Sequence, residues 1–216
     1  MKKSFWLLSI CLILAVAFSP LVTDAGRKKV KITDIKAGSK LEYVEGEGGL
    51  EVGTKYYFDR DYVVLEMPEE MEGIQWIMTA NNDKNSMGKD FLTFKVDVPS
   101  IIWVAHDSRG EEDKGGTPPD WLVEDYEMQK DGKDPLALTV TDGNMATFNL
   151  WKIKESVKGK VAVPGNAEKP AAGHGSNYLV LVEFDDKAPV DSKGKLSSVW
   201  GDIKGRINQW YLAIIS

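Results

Sequence analysis

Phe91-Leu-Thr-Phe-Lys-Val-Asp-Val98, followed after Pro99-Ser100 by Ile101-Ile-Trp-Val-Ala-His106, decides the fold class of this chain. The first run alternates. Leu92, Phe94, Val96 and Val98 form one face, and Thr93, Lys95 and Asp97 share the other with Phe91. Alternation with period two is the mark of a strand with one face on a core and one in water. The second run is apolar on both faces until His106, so it reads as a central strand covered on both sides. Working outward, Ile74 to Thr79 and Tyr178-Leu-Val-Leu-Val-Glu-Phe184 also read as buried strands. Leu136 to Thr141 and Phe148-Asn-Leu-Trp-Lys-Ile-Lys154 alternate again, and Val157 to Val163 follows through a turn. Val30, Ile32 and Ile35 suggest one strand near the start; Leu41, Tyr43 and Val44 suggest another. Short β-branched and aromatic runs separated by Asn, Asp, Gly and Pro predict an all-β fold. We expect a jelly-roll-like β-sandwich of roughly ten short antiparallel strands. Helix is expected at most as a turn or two within 121–130.

Met1-Lys-Lys-Ser precedes fourteen almost wholly apolar residues, Phe5 to Phe18, and Ser19-Pro20 ends the run. Small residues follow at Thr23-Asp-Ala25. This pattern predicts a secretory signal peptide over 1–25, cleaved after Ala25, and hence a secreted or cell-surface location. The run is short of the ~20 residues that span a bilayer, so no membrane span is expected after cleavage. Cys11 is the only cysteine and would leave with the signal. The mature chain then carries neither a disulfide nor a thiol nucleophile. Removing Lys2, Lys3 and Asp24 from 27 basic and 33 acidic residues leaves 25 and 32. The basic residues are scattered, which argues against a nucleic-acid partner. The sandwich domain is expected over 26–186. A linker and a hydrophobic strand or tail fill 187–216, with 207–216 a candidate for self-association through strand edges.

Chemistry is sparse. Asn81, Asp83 and Asn85 put side-chain oxygens at alternate positions, a spacing a calcium site uses. Ser86 replaces the glycine of an EF-hand loop and Leu92 stands where its closing glutamate belongs, so that motif is excluded. Calcium is the one cofactor the spacing suggests; Asn and Asp capping a tight connection is the simpler reading. His106 and His174 are the only histidines, without a nucleophile-elbow serine and too few for a tetrahedral zinc site. Asp107 and Arg109 read as a structural ion pair at a strand end, and Lys84 is a second candidate partner for Asp107. Trp76 and Trp103 are expected in the core. Trp121, after a Gly/Pro loop, and Trp151, among polar neighbours, are the candidates for exposed platforms on which sugar rings stack.

Five motifs recur together: Tyr57-Phe-Asp-Arg-Asp-Tyr62, Thr79-Ala-Asn-Asn-Asp-Lys84, Phe91-Leu-Thr-Phe94, Trp103-Val-Ala-His-Asp-Ser-Arg109 and Pro119-Asp-Trp-Leu122. Gly165-Asn166 and Ser176-Asn-Tyr178 accompany them. In order and spacing they resemble an accessory domain of secreted bacterial proteins, often found beside polysaccharide lyases, glycosidases or sulfatases. The resemblance covers residues 53–184. It implies an extracellular β-sandwich with a carbohydrate link by association, and it does not imply catalysis. The expected function is a non-catalytic, polysaccharide-binding module. The alternative is a structural or adhesive protein of the cell exterior, assembling through strand edges and the C-terminal tail.

Overall fold

A computed structural model describes residues 27–145 and 147–188. The expected signal peptide and the tail from 189 onward lie outside these residues. Twelve strands follow in order: β1 (Ile32–Ala37), β2 (Val44–Glu45), β3 (Val64–Glu66), β4 (Gln75–Met78), β5 (Leu92–Asp107), β6 (Tyr126–Met128), β7 (Lys130–Asp131), β8 (Asp134–Pro135), β9 (Ala137–Val140), β10 (Thr147–Ile153), β11 (Val157–Val163) and β12 (Leu179–Phe184). The single α-helix among them, α1 (Asp120–Asp125), is six residues long. Every strand pairing is antiparallel. The all-β, sandwich-like class expected from the pattern is the class observed.

The organising element is β5. Two strands were expected over 91–106, but one strand of 16 residues runs through both layers. Its first half pairs with β1 (Ile32 opposite Val96) and with β11 (Val161 opposite Phe94). Its second half pairs with β12 (Leu181 opposite Trp103) and with β10 (Leu150 opposite Ala105). Pro99, which cannot donate to a ladder, sits at the crossing between the two halves. There the Pro99 carbonyl accepts from the Asp185 amide at 3.0 Å, and Ser100 Oγ donates to the Val98 carbonyl at 2.8 Å. Pro99 therefore marks the place where the strand passes from one layer to the other, without ending it.

The larger layer runs β2-β4-β12-β5-β10-β9-β3, and its central strands β12, β10 and the second half of β5 are buried on both faces. On β12, Val180 and Val182 enter one core, while Leu179 and Leu181 enter the other. On β5, Ile102 and Val104 face the first, and Trp103 and Ala105 the second. The first core is closed by β1, the first half of β5, β11 and α1. The second is closed by the aromatic segment Tyr56-Tyr57, with Leu50, Met71 and Ile74. Two-sided burial explains why these strands read as continuous apolar runs.

Candidate functional site

The motif residues converge at one end of the sandwich. There the C-terminal end of β5 meets the 79–88 connection, the 108–117 loop and the 165–178 segment. Asp107, fully buried, is the hub. Its carboxylate accepts from Arg109 Nε at 3.0 and 3.1 Å and from Arg109 Nη2 at 2.6 Å. It also accepts the backbone amides of Arg109, Gly175 and Ser176 at 3.0, 2.8 and 2.9 Å. Burial pushes the Asp107 carboxyl up, but Arg109 and these amides outweigh it and hold it below the usual carboxylate range. Arg109 reaches on to Ser176 Oγ at 3.1 Å and to the Asn144 carbonyl. The pair thus ties three segments together. Lys84, the other partner considered for Asp107, contributes its backbone carbonyl to this end of the fold, accepting from Asn166 and His174.

A second group lies beside it. Asn177 donates from Nδ2 to Tyr43 OH at 3.1 Å and to the Ala80 carbonyl at 2.9 Å. Its backbone amide donates to Asn81 Oδ1 at 3.0 Å. Asp83 Oδ2 accepts from Ser39 Oγ at 2.7 Å and from Tyr43 OH at 2.9 Å. Asp59 accepts the amides of Asn81 and Asn82 at 2.8 and 3.0 Å. Asn81–Asp83 forms a 3₁₀ turn. Two of the three oxygens considered for calcium are therefore engaged by protein donors, and Asn85 is exposed. Asn81 and Asp83 thereby tie the turn to Asn177, Ser39 and Tyr43.

The tryptophans require a correction. Trp121 and Trp151 are 8 % and 7 % exposed, both in the first core. Trp121 packs edge-on against Tyr126 and Tyr178, and its Nε1 donates to the Gly165 carbonyl at 3.2 Å. Trp151 Nε1 donates to Glu111 Oε1 at 3.1 Å. Each indole buries its ring and satisfies its N–H inside the fold, so neither offers a face to a sugar. The polar neighbours of Trp151 do not mark an exposed face, because Asn149 is itself buried.

Glu111 carries a role the sequence did not reveal. It is 3 % exposed and its Oε1 lies 3.1 Å from His106 Nδ1. One carboxylate in a run of charged residues gives no signal of burial. Its one hint is Gly110, where a Cβ would lie 2.8 Å from His106 Cε1. Gly165 is equally constrained: a Cβ there would fall 2.5–2.6 Å from backbone atoms of Ser86 and Met87. Because backbone rather than a flexible side chain stands in the way, Gly165→Ala is expected to cost about 1–3 kcal/mol in urea unfolding. A smaller change would show that the 86–88 backbone yields.

Two open grooves lie away from this polar end. One, of about 1150 Å³, is bounded by Arg27, Lys29, Glu51, Glu72, Gln75 and Glu183. Arg27 closes one side, donating to Glu183 Oε1 at 3.1 Å and to the Glu72 carbonyl at 2.9 Å. The other, of about 750 Å³, lies beside the β7–β8 hairpin and includes Trp103, Gln129, Asp131, Asp134 and Leu136. Trp103 Nε1 donates to Glu183 Oε2 at 3.0 Å, linking the floors of the two grooves. Among the described residues no helix is long and apolar enough to cross a membrane.

No protein-family profile matches the chain, and no curated protein matches it. Solved structures do. A β-glucuronidase from glycoside hydrolase family 2 is similar at a TM-score of 0.56 and 20% identity, over 69% of this chain and 14% of that one. A glycoside hydrolase family 138 enzyme targeting pectin rhamnogalacturonan II is similar at a TM-score of 0.43 and 18% identity, over 77% of this chain and 19% of that one. The chain spans less than a fifth of either. The first likeness shows a fold shared with one part of a glycoside hydrolase.

Proposed function

We propose that this chain is an exported, non-catalytic carbohydrate-binding module that works alongside polysaccharide-degrading enzymes. One observation carries the reading. The fold shared with the family 2 β-glucuronidase covers 69% of this chain but only 14% of that enzyme, the proportion expected of an accessory domain. The groove beside the β7–β8 hairpin supports it. Its lining combines an amide, four carboxylates and the apolar Pro68, Pro135, Leu136 and Ala137, over the buried Trp103. Sugar sites need such a mixture, apolar patches for C–H faces and a few polar groups for hydroxyls. Four carboxylates (Glu69, Glu70, Asp131 and Asp134) against Lys130 make a neutral polysaccharide a better occupant than a polyuronate.

The test is affinity electrophoresis of residues 26–216 through gels containing neutral and acidic polysaccharides. Retardation by a neutral polymer is expected, with at least a tenfold loss of affinity in Gln129→Ala/Asp131→Ala, whose positions lie at the surface. Absence of retardation on every gel would sink the binding reading. Release of reducing ends from the same polymers would overturn its non-catalytic part.

A further inference from the structure

Lysines that stand far apart in the sequence gather on the outer face of the smaller layer, formed by β1, the first half of β5 and β11. Strand register fixes their places. Thr33 and Lys160 both lie opposite Lys95, and Lys36 and Ala162 both lie opposite Thr93. Residues directly opposite share a face. This face points away from the core, because Ile32, Phe94, Val96 and Val161 fill the other. Lys31 precedes β1, its backbone amide donating to Asp97 Oδ1 at 2.9 Å. Lys158 sits in the β11 bulge between Val157 and Gly159. Lys31, Lys36, Lys95, Lys158 and Lys160 are all exposed.

These five ammonium groups meet two carboxylates, Asp34 and Asp97, on a chain whose 33 acidic residues outnumber its 27 basic ones. Among the described residues Lys95 alone of the five forms an ion pair, with Asp34 Oδ2 at 2.8 Å. Lys95, and more weakly Lys36, hold the Asp34 carboxyl below its usual range, so one carboxylate answers two cations. Adjacent strands lie about 5 Å apart and alternate residues about 7 Å. Neighbouring charges on the face therefore fall within one Debye length, about 8 Å at physiological salt, and act together on a ligand. Lys95 stands directly opposite Lys160, and like charges so placed destabilise a sheet. Lysines on β1 and β11 also guard free edges against pairing. Lys95, however, is on the central strand of this layer, where no edge needs guarding. The face carries more positive charge than folding asks for.

We propose that the outer face of β1, β5 and β11 binds a linear anionic polysaccharide, carboxylated or sulfated. Charge complementarity selects an anion. The hydroxyls of Thr33 and Thr93, set among the lysines, add hydrogen-bonding groups for a sugar chain. The exposed positions on this face include no aromatic side chain on which nucleic-acid bases could stack and no large apolar one to enter a lipid surface. The chain's own segment 189–216 carries Lys193, Lys195, Lys204 and Arg206 against Asp191 and Asp202, so it does not supply the anion. This face is separate from the acidic groove beside β7 and β8, and the inference does not rest on the reading of that groove.

The test is surface plasmon resonance of residues 26–216 on immobilised polygalacturonate, dextran sulfate and unmodified dextran. Binding to both anionic polymers is expected at about 50 mM salt, with an affinity that falls about tenfold or more by about 200 mM. Lys36→Gln/Lys160→Gln should lose about tenfold on both, and Lys36→Arg/Lys160→Arg should keep the affinity. Lys89→Gln/Lys133→Gln, which removes two exposed lysines elsewhere, should change it less than about twofold. Equal losses in the two glutamine pairs would reduce the effect to net charge and overturn the site, as would the absence of binding to either anionic surface. Tighter binding to duplex DNA than to both polymers, lost in the same Lys36/Lys160 variant, would overturn the polysaccharide assignment. Retention on neutral polymers reports on the groove beside β7 and β8, so loss of one binding without the other separates the two readings.

Discussion

Asp107→Ala is expected to lower the unfolding free energy by about 3–5 kcal/mol, because it breaks a buried pair from one side only. The carboxylate gathers three backbone amides and the Arg109 guanidinium at a site with no solvent access. Truncation leaves the Gly175 and Ser176 amides without an acceptor and a half-buried cation without its counter-charge. Arg109 keeps 31% of its side chain exposed, so water can partly replace what Arg109→Ala removes. The single substitution at Arg109 should therefore cost less. The double substitution should cost clearly less than the sum, since both act on one interaction. Against the total stability of about 5–15 kcal/mol for a domain, the Asp107 change removes about a fifth or more. Urea titrations of the three variants decide it; a cost below about 1 kcal/mol for Asp107→Ala would mean the hub does not hold the segments together.

Trp151→Ala should be comparably severe, about 3–5 kcal/mol, for a different reason. Truncating a buried indole leaves a cavity that a β-sheet core cannot collapse to fill. Trp151 packs in the first core and holds Glu111 through its N–H, so the change also removes a donor from the acid that orients His106. Loss of near-ultraviolet circular dichroism at an unchanged far-ultraviolet spectrum, with a lowered urea midpoint, is the expected signature. Lost polysaccharide affinity in Trp151→Ala or Trp121→Ala would then report a damaged core. Surface substitutions in the groove beside β7 and β8 separate binding from folding.

The layered β architecture was legible because it rests on periodicity. Two-sided apolar runs at 101–106 and 178–184 are where the central strands lie, and Leu92, Phe94 and Val96 form the buried face that their alternation predicts. The continuity of β5 through Pro99 was not legible. Proline usually stops a ladder, and only the crossing of the layers gives its missing N–H a place. The polar end was visible as motifs but not as a network. Tyr43, Asp83 and Asn177 come from three separate segments and meet only through the fold. Glu111 resembled any surface acid, and Trp121 and Trp151 resembled loop and edge aromatics. Burial of a polar side chain depends on tertiary partners, which local composition does not encode.

The route of β5 also dictates when this protein can fold. Its neighbours are drawn from nearly the whole described span: β1 begins at Ile32 and β12 ends at Phe184. Among the described strands β12 is the last to leave the ribosome, yet it lies between β4 and β5 at the centre of the larger layer. Until it arrives, the exposed sides of β4 and β5 have no mates, and neither core is sealed. A nascent chain therefore stays open through most of its synthesis and closes late, by long-range pairings that are intrinsically slow.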